Sequence, residues 1–446
     1  MKKSLTESIN ENTAPEAVRF YVPGHKGRSI FLSEACRRDV TELDFTDDLN
    51  VPKGAFREAE KDISALYKSR FSILTVNGST AAVMTAVGSC VRDGETLLVP
   101  SDAHVSVYFG AMHAGARILR YRVRDHLRGV TPEDVKEALS GEGKDAAALV
   151  ITTPTYFGNA ADVEAISGLA RKAGIKLIAD EAHGAHLVFM SRENLSAIGK
   201  ADYVIHSMHK SLGALTQTAV LHVYDPEADE AAVRLRMRSF QSTSPSFLLS
   251  SSMTEVIAGL KNGSGLFDKI DIWYNDMIKH ISKLKLFETV DFGPSADPMR
   301  ITLLCRTDMK RLTALFRIRH IEEEMTMGNL MVLYMGAGTS ESDITALKKA
   351  LDEAEETLPF VGTPVPGLSV YLPKTSEDMR TAIAEKSEYV ALSEATGRIS
   401  TDMVCVYPPG APCLIPGSLI DGEAVRYISE AEDIQGVYDG KLRVKA

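Results

Sequence analysis

Between Phe71 and Val223 the chain alternates short apolar runs with amphipathic stretches. The runs ILTV (73–76), TLLV (96–99), RILRYRV (117–123), AALVITT (147–153), IKLIAD (175–180), DYVIHS (202–207) and TAVLHV (218–223) are strand-length and mostly rich in β-branched residues. Helix-length segments lie between several of them. One opens with Thr131-Pro132-Glu133-Asp134, a capping threonine before a proline suited to the first helical turn. This alternation predicts an α/β layer built on a largely parallel sheet.

The pattern breaks at STSPS (242–246) and KNGSG (261–265), and the chain beyond them is helix-rich with separate strand candidates MRITLLC (299–305) and LMVLYMG (330–336). Farther on, four prolines between Thr357 and Pro373 interrupt any helix. The expected organisation is an arm over residues 1–20, a large domain over 21–264, a small domain over 265–365 and a C-terminal lobe over 366–446.

At 446 residues, with 44% hydrophobic and 25% charged residues, the chain has the composition of a folded globular protein with a large core. Its formal net charge of −10 and lack of basic runs argue against nucleic acid as a partner. No window approaches the roughly 20 apolar residues of a membrane span, and MKKSLTESINENTAPEA has no apolar core that would make it a targeting signal. Five scattered cysteines without a CxxC pair suit a reducing cytoplasm. A small molecule is the expected partner.

Candidate chemistry clusters at the ends of the predicted strands. Lys210 follows DYVIHS in a turn containing Ser207 and His209, where an amine held unprotonated is placed to form a Schiff base, although a surface loop uses the same residue. Asp180 ends IKLIAD, on the strand edge that borders ligand crevices in open parallel sheets. There a carboxylate can pair with a protonated pyridine nitrogen, although a helix cap or a structural ion pair would use the same residue. Asn77-Gly78-Ser79-Thr80 feeds a helix start and suits a phosphate ester, or simply caps the helix. His104, at another strand-to-helix junction, can lie flat on an aromatic ring or serve structure. The string DEAH (180–183) also occurs in nucleic-acid helicases, but the GxxxxGK[ST] phosphate loop they need is absent. HExxH is absent as well, and no metal is expected.

Taken together, VPGHKGR (22–28), LDFTDDLN (43–50), NGST (77–80), SDAH (101–104), TTPTYFG (152–158), DEAHGAH (180–186), SMHKSLGALTQTAVL (207–221), STSPSFLL (242–249) and YPPGAP (407–412) resemble, in order, the Orn/Lys/Arg decarboxylase family. The resemblance implies an aspartate-aminotransferase-like α/β fold (pyridoxal-phosphate fold type I) and pyridoxal 5'-phosphate as cofactor. It implies decarboxylation of lysine, arginine or ornithine. Lys210 would attach the cofactor, Asp180 would pair with its ring nitrogen and His104 would stack on the ring. Ser79, Thr80, Ser207 and His209 would surround the phosphate, with Ala182 also at the cofactor. Ser242 would reach in from the partner of a homodimer with shared sites, unless it caps the helix leading into Phe247.

Three departures qualify the match. The family's HKS reads His104-Val105-Ser106, its PYPPG reads Val406-Tyr407-Pro408-Pro409-Gly410, and its PGE reads Pro416-Gly417-Ser418, which removes a carboxylate that would help bind the substrate's distal cation. Asp47 and Asp48 are candidate replacements. VPGHKGR begins at residue 22, so the receiver-like domain of long members, and ring assemblies built on it, are not expected. Transamination, another reaction on the same cofactor, or a non-catalytic binding role are the alternatives.

Overall fold

The computed structural model describes residues 18–20, 47–263, 265–362, 371–407, 410–431 and 433–446. VPGHKGR, most of the arm, residues 43–46 of LDFTDDLN and Pro408 and Pro409 of YPPGAP lie outside the described residues.

All seven predicted runs form strands, and they assemble into one sheet: β1 (Phe71–Thr75), β2 (Thr96–Pro100), β3 (Arg117–Tyr121), β4 (Ala148–Thr152), β5 (Lys176–Asp180), β6 (Tyr203–Ser207) and β7 (Ala219–Val223). The order is β1-β7-β6-β5-β4-β2-β3. β7 runs antiparallel to both its neighbours, and the other pairings are parallel. β1, β2, β6 and β7 are buried at every position because helices cover both faces, which explains why they read as continuous apolar runs.

Four helices position the strand-end residues: α1 (Ala55–Tyr67), α2 (Gly78–Cys90), α3 (Val105–Ala114) and α4 (Pro132–Ala138). α4 starts as the sequence predicts: Thr131 accepts from the Asp134 N–H while Asp134 accepts from the Thr131 N–H, closing a capping box. α2 is apolar nearly all round because it is packed within the layer, with Ala81 to Gly88 buried. Gly78 begins it at φ +74°, a left-handed conformation that glycine adopts without a Cβ penalty. The chain therefore turns from β1 directly into a helix N-terminus.

Beyond the large sheet the chain forms a four-stranded antiparallel sheet, β8 (Phe287–Thr289), β9 (Arg300–Cys305), β10 (Met325–Met327) and β11 (Leu330–Tyr334), in the order β10-β11-β9-β8. Its core is continuous with that of the large sheet's outer layer, since Phe56, Tyr67 and Phe247 share one cluster with Ile301, Phe316 and Leu347. Val18–Arg19 adds a parallel pairing to Ile321–Glu322. Residues 387–445 form two three-stranded sheets around Val404, Leu414, Ile428 and Val444. No helix among the described residues is long and apolar enough to cross a membrane.

Candidate active site

The parallel strands all end on one side of the sheet, so the residues just past β1, β2, β4, β5 and β6 converge there. A cavity of about 130 Å³ opens at that edge. Ser79, His104, Asp180, Ala182 and Lys210 line it, five of the residues singled out from sequence. Asp102, His126, Thr152, Thr155, Tyr156, Phe157 and His183 complete most of the wall, and Gly410 and Ala411 close it from the C-terminal lobe.

Lys210 lies in the single helical turn Met208–Ser211 that follows β6. Its Nζ is 2.9 Å from His183 Nε2. Burial, reinforced by the nearby Arg300, lowers the ammonium from its usual 10.5 to about 8, with Asp180 and Glu324 pulling the other way. His183 is itself kept far below the usual histidine range by burial and by Lys210, so its ring is neutral and accepts from the ammonium. The ring stands edge-on to Tyr156, centroids 5.3 Å apart, and Tyr156 donates its hydroxyl proton to Glu324. The amine thus points into the cavity with its proton held more loosely than an ordinary lysine's.

Asp180 ends β5 buried, its Oδ1 accepting from the Ala182 N–H at 3.3 Å. The next residue, Glu181, turns away from the cavity. Its carboxylate accepts from Ser196 Oγ (2.8 Å), the Ala197 N–H (2.9 Å) and His206 Nε2 (2.8 Å), which ties the end of β5 to β6. Gly184 permits this fold-back, since a Cβ there would stand 2.5 Å from Glu181 Cγ. His104 caps α3, its Nδ1 accepting from the Ser106 N–H at 3.2 Å, while the ring still faces the cavity; burial keeps it below the usual histidine range. The structural and the cavity-facing readings of His104 hold together.

Other predicted residues sit differently. Ser207, at the end of β6, has a buried Oγ with no hydrogen-bond partner among the described residues. His209 Nδ1 lies 3.0 Å from the Thr218 carbonyl. Thr80 follows Ser79 in the first turn of α2, outside the cavity wall. Ser242 is exposed and also outside it; its N–H donates to Asn77 Oδ1 at 3.3 Å, and the helix into Phe247 is capped by Ser246 instead. Asp47 accepts from the Lys53, Gly54 and Phe56 N–H groups at the start of α1, and Asp48 lines a separate surface hollow with Arg238, so neither acid is in the cavity. Ser418 is buried, accepting from the Ile415 N–H. Sequence reading missed His183, Tyr156 and Asp102, although all three stand inside motifs it quoted.

Pyridoxal phosphate fits these residues. The unpartnered Ser207 Oγ and the start of α2 offer donors to a phosphate, Asp180 offers a carboxylate to a ring nitrogen, and Lys210 offers an amine that burial keeps reactive. Fold and amine together define a pyridoxal-phosphate enzyme of fold type I. Solved structures of that fold align over most of the chain. The constitutive lysine decarboxylase of E. coli does so with TM-score 0.77 and 19% identity, covering 93% of this chain and 76% of that one. A serine palmitoyltransferase with pyridoxal phosphate aligns with TM-score 0.60 and 17% identity, covering 76% and 87%. The chain belongs to the Orn/Lys/Arg decarboxylase family: the family's major-domain model matches residues 4–285 and its C-terminal-domain model residues 368–440. Among curated relatives, the arginine decarboxylase of Bacillus subtilis (strain 168) is 28% identical over 476 residues, 99% of this chain and 96% of that protein. The protein is a pyridoxal-phosphate-dependent decarboxylase of basic amino acids.

Proposed function

We propose that the protein decarboxylates arginine, with Lys210 as the residue that attaches the cofactor. The observation that carries this reading is the buried Lys210 amine, lowered to about 8 and aimed into a cavity with Asp180 on its wall. The naming of full-length relatives as arginine decarboxylases supports arginine over lysine and ornithine.

In this reading each side chain has one task. Ser79, Thr80, Ser207 and His209 hold the phosphate at the start of α2. Asp180 keeps a proton on the ring nitrogen by pairing with it. His104 and Ala182, on the cavity wall, would hold the ring between them. When bound, pyridoxal phosphate supplies the electron sink for the pair left behind by departing carbon dioxide. His183, 2.9 Å from Lys210 Nζ, accepts a hydrogen bond from that amine and orients it in the cavity. Tyr156 and Phe157 on the cavity wall shield the reacting carbon from solvent.

The working unit in this proposal is a cytoplasmic homodimer in which Ser242 completes the partner's phosphate site. Ser242 is exposed and does not line its own chain's cavity, which leaves it available across an interface. The four described cysteines are free thiols, in keeping with a reducing compartment. Carbon dioxide release from arginine, lysine and ornithine, each with added pyridoxal phosphate, tests the assignment. Release from arginine at the highest kcat/KM is expected; release from none of the three would overturn it.

A further inference from the structure

Asp102 has no role in the chemistry assigned to its neighbours. It leaves the end of β2 two residues before His104 and lines the cavity, and its buried Oδ1 has no hydrogen-bond partner among the described residues. The groups that bear on it come from every side: Asp180 at the end of β5, Asp134 in α4, Tyr121 at the end of β3 and Tyr108 in α3, with the His104 and His126 rings on the same cavity wall. Arg124 is spent on Asp134 and Glu137, and Lys210 faces Asp180. Arg120 donates to the Pro412 and Cys413 carbonyls and lies over the Tyr108 ring. Asp102 and Asp180 line the same cavity, and the Asp180 carboxylate acts on Asp102 as a like charge. Burial, with the charges of Asp134 and Asp180 added, raises its acid to about 7.

We propose that Asp102 is a second acid for the positively charged cofactor ring: as the ring enters, Asp102 releases its proton to solvent and its carboxylate joins Asp180 in holding the cation. The inference rests on the reading of Asp180 as the partner of the pyridoxal-phosphate ring nitrogen. Desolvation holds a lone buried acid neutral, whereas an opposite charge within about 4–6 Å lowers a carboxyl by roughly 1–3 units and reverses that balance. The step breaks only the Asp102 O–H bond; the proton goes to bulk water and no electrons are exchanged. Cofactor affinity is therefore linked to pH. It rises as pH approaches 7, where Asp102 ionises unaided, and levels above.

The test titrates pyridoxal phosphate into the cofactor-free protein by calorimetry, in buffers of different ionisation heat at pH about 6.5, for the wild type and Asp102→Asn. About three quarters of Asp102 is protonated half a unit below 7, so the wild type should release about 0.7 more protons per site than the variant. Taking the difference between chains removes the protons of the ring and of Lys210. Inorganic phosphate, which carries no ring cation, should give equal counts in both chains. Equal counts with pyridoxal phosphate, while both chains develop the imine absorbance, would overturn the role of Asp102 and leave the cofactor reading standing. Absence of the imine band from both would overturn the two together. If Asp102→Asn does not fold, infrared difference spectra of the wild type decide: the protonated-carboxyl band must disappear on loading, and its persistence refutes the proposal.

Discussion

A lysine titrating near 8 instead of 10.5 can be detected before any turnover. Imine formation needs the free amine, so capture of pyridoxal phosphate by the cofactor-free protein follows the unprotonated fraction of Lys210. At pH 7 that fraction is about one in ten for a group titrating near 8 and about one in three thousand for an ordinary lysine, a gap of roughly 300-fold in capture rate. The cause is desolvation first and the charge of Arg300 second, with Asp180 and Glu324 too weak to cancel them. Stopped-flow absorbance at the imine band should show a rate rising about tenfold per pH unit and then flattening above pH about 8. Lys210→Ala supplies the zero, and Asp102→Asn run alongside removes the ionisation of that acid from the profile. The same shift has a stability counterpart. Below about 8 both folded and unfolded chains carry the proton, so the cost of burying the charge is present in full; between there and 10.5 only the unfolded chain binds it, and stability rises with pH. A capture rate that climbs without a break to pH about 10 would show that Lys210 titrates as an ordinary lysine and would refute the desolvation reasoning.

Three other substitutions probe the surroundings. Asp180→Asn should retain the cofactor but lose at least about 100-fold in kcat, the scale of removing one preorganised electrostatic partner; a kcat within a few-fold of wild type would make Asp180 a turn residue only. Glu181→Ala strands the buried donors of Ser196, Ala197 and His206 and should cost about 3–5 kcal/mol in denaturant unfolding, whereas a change below about 1 kcal/mol would mean water replaces the carboxylate. Inactive Lys210→Ala and weakened Ser242→Ala chains, mixed and refolded together, should regain activity because one site of each mixed dimer has both residues intact; no gain over the separate chains argues against a shared site.

Much of this architecture is set locally. Strands buried on both faces must be apolar at nearly every position, so runs such as ILTV, TLLV and TAVLHV declared themselves, as did the capping box at Thr131 and the strands Arg300–Cys305 and Leu330–Tyr334. Lys210, Asp180, Ser79 and His104 were legible for a related reason: each stands just past a strand end, where a parallel sheet presents its crevice. Strand order was not legible, and neither was the reversal of β7 between two strands that are parallel to each other, because pairing is chosen by contacts among segments far apart in the chain. The acids show the limit most clearly. Asp47 and Asp48 carried the right charge, yet the backbone around α1 claims the first and a surface hollow the second. Asp102 gave no signal beyond its place in SDAH. Its raised acidity comes from burial and from Asp134 and Asp180, groups 32 and 78 positions farther along the chain, which come together only when β2, α4 and β5 pack into one layer. A side chain's type is local, whereas its desolvation and its charged neighbours are properties of the folded chain alone.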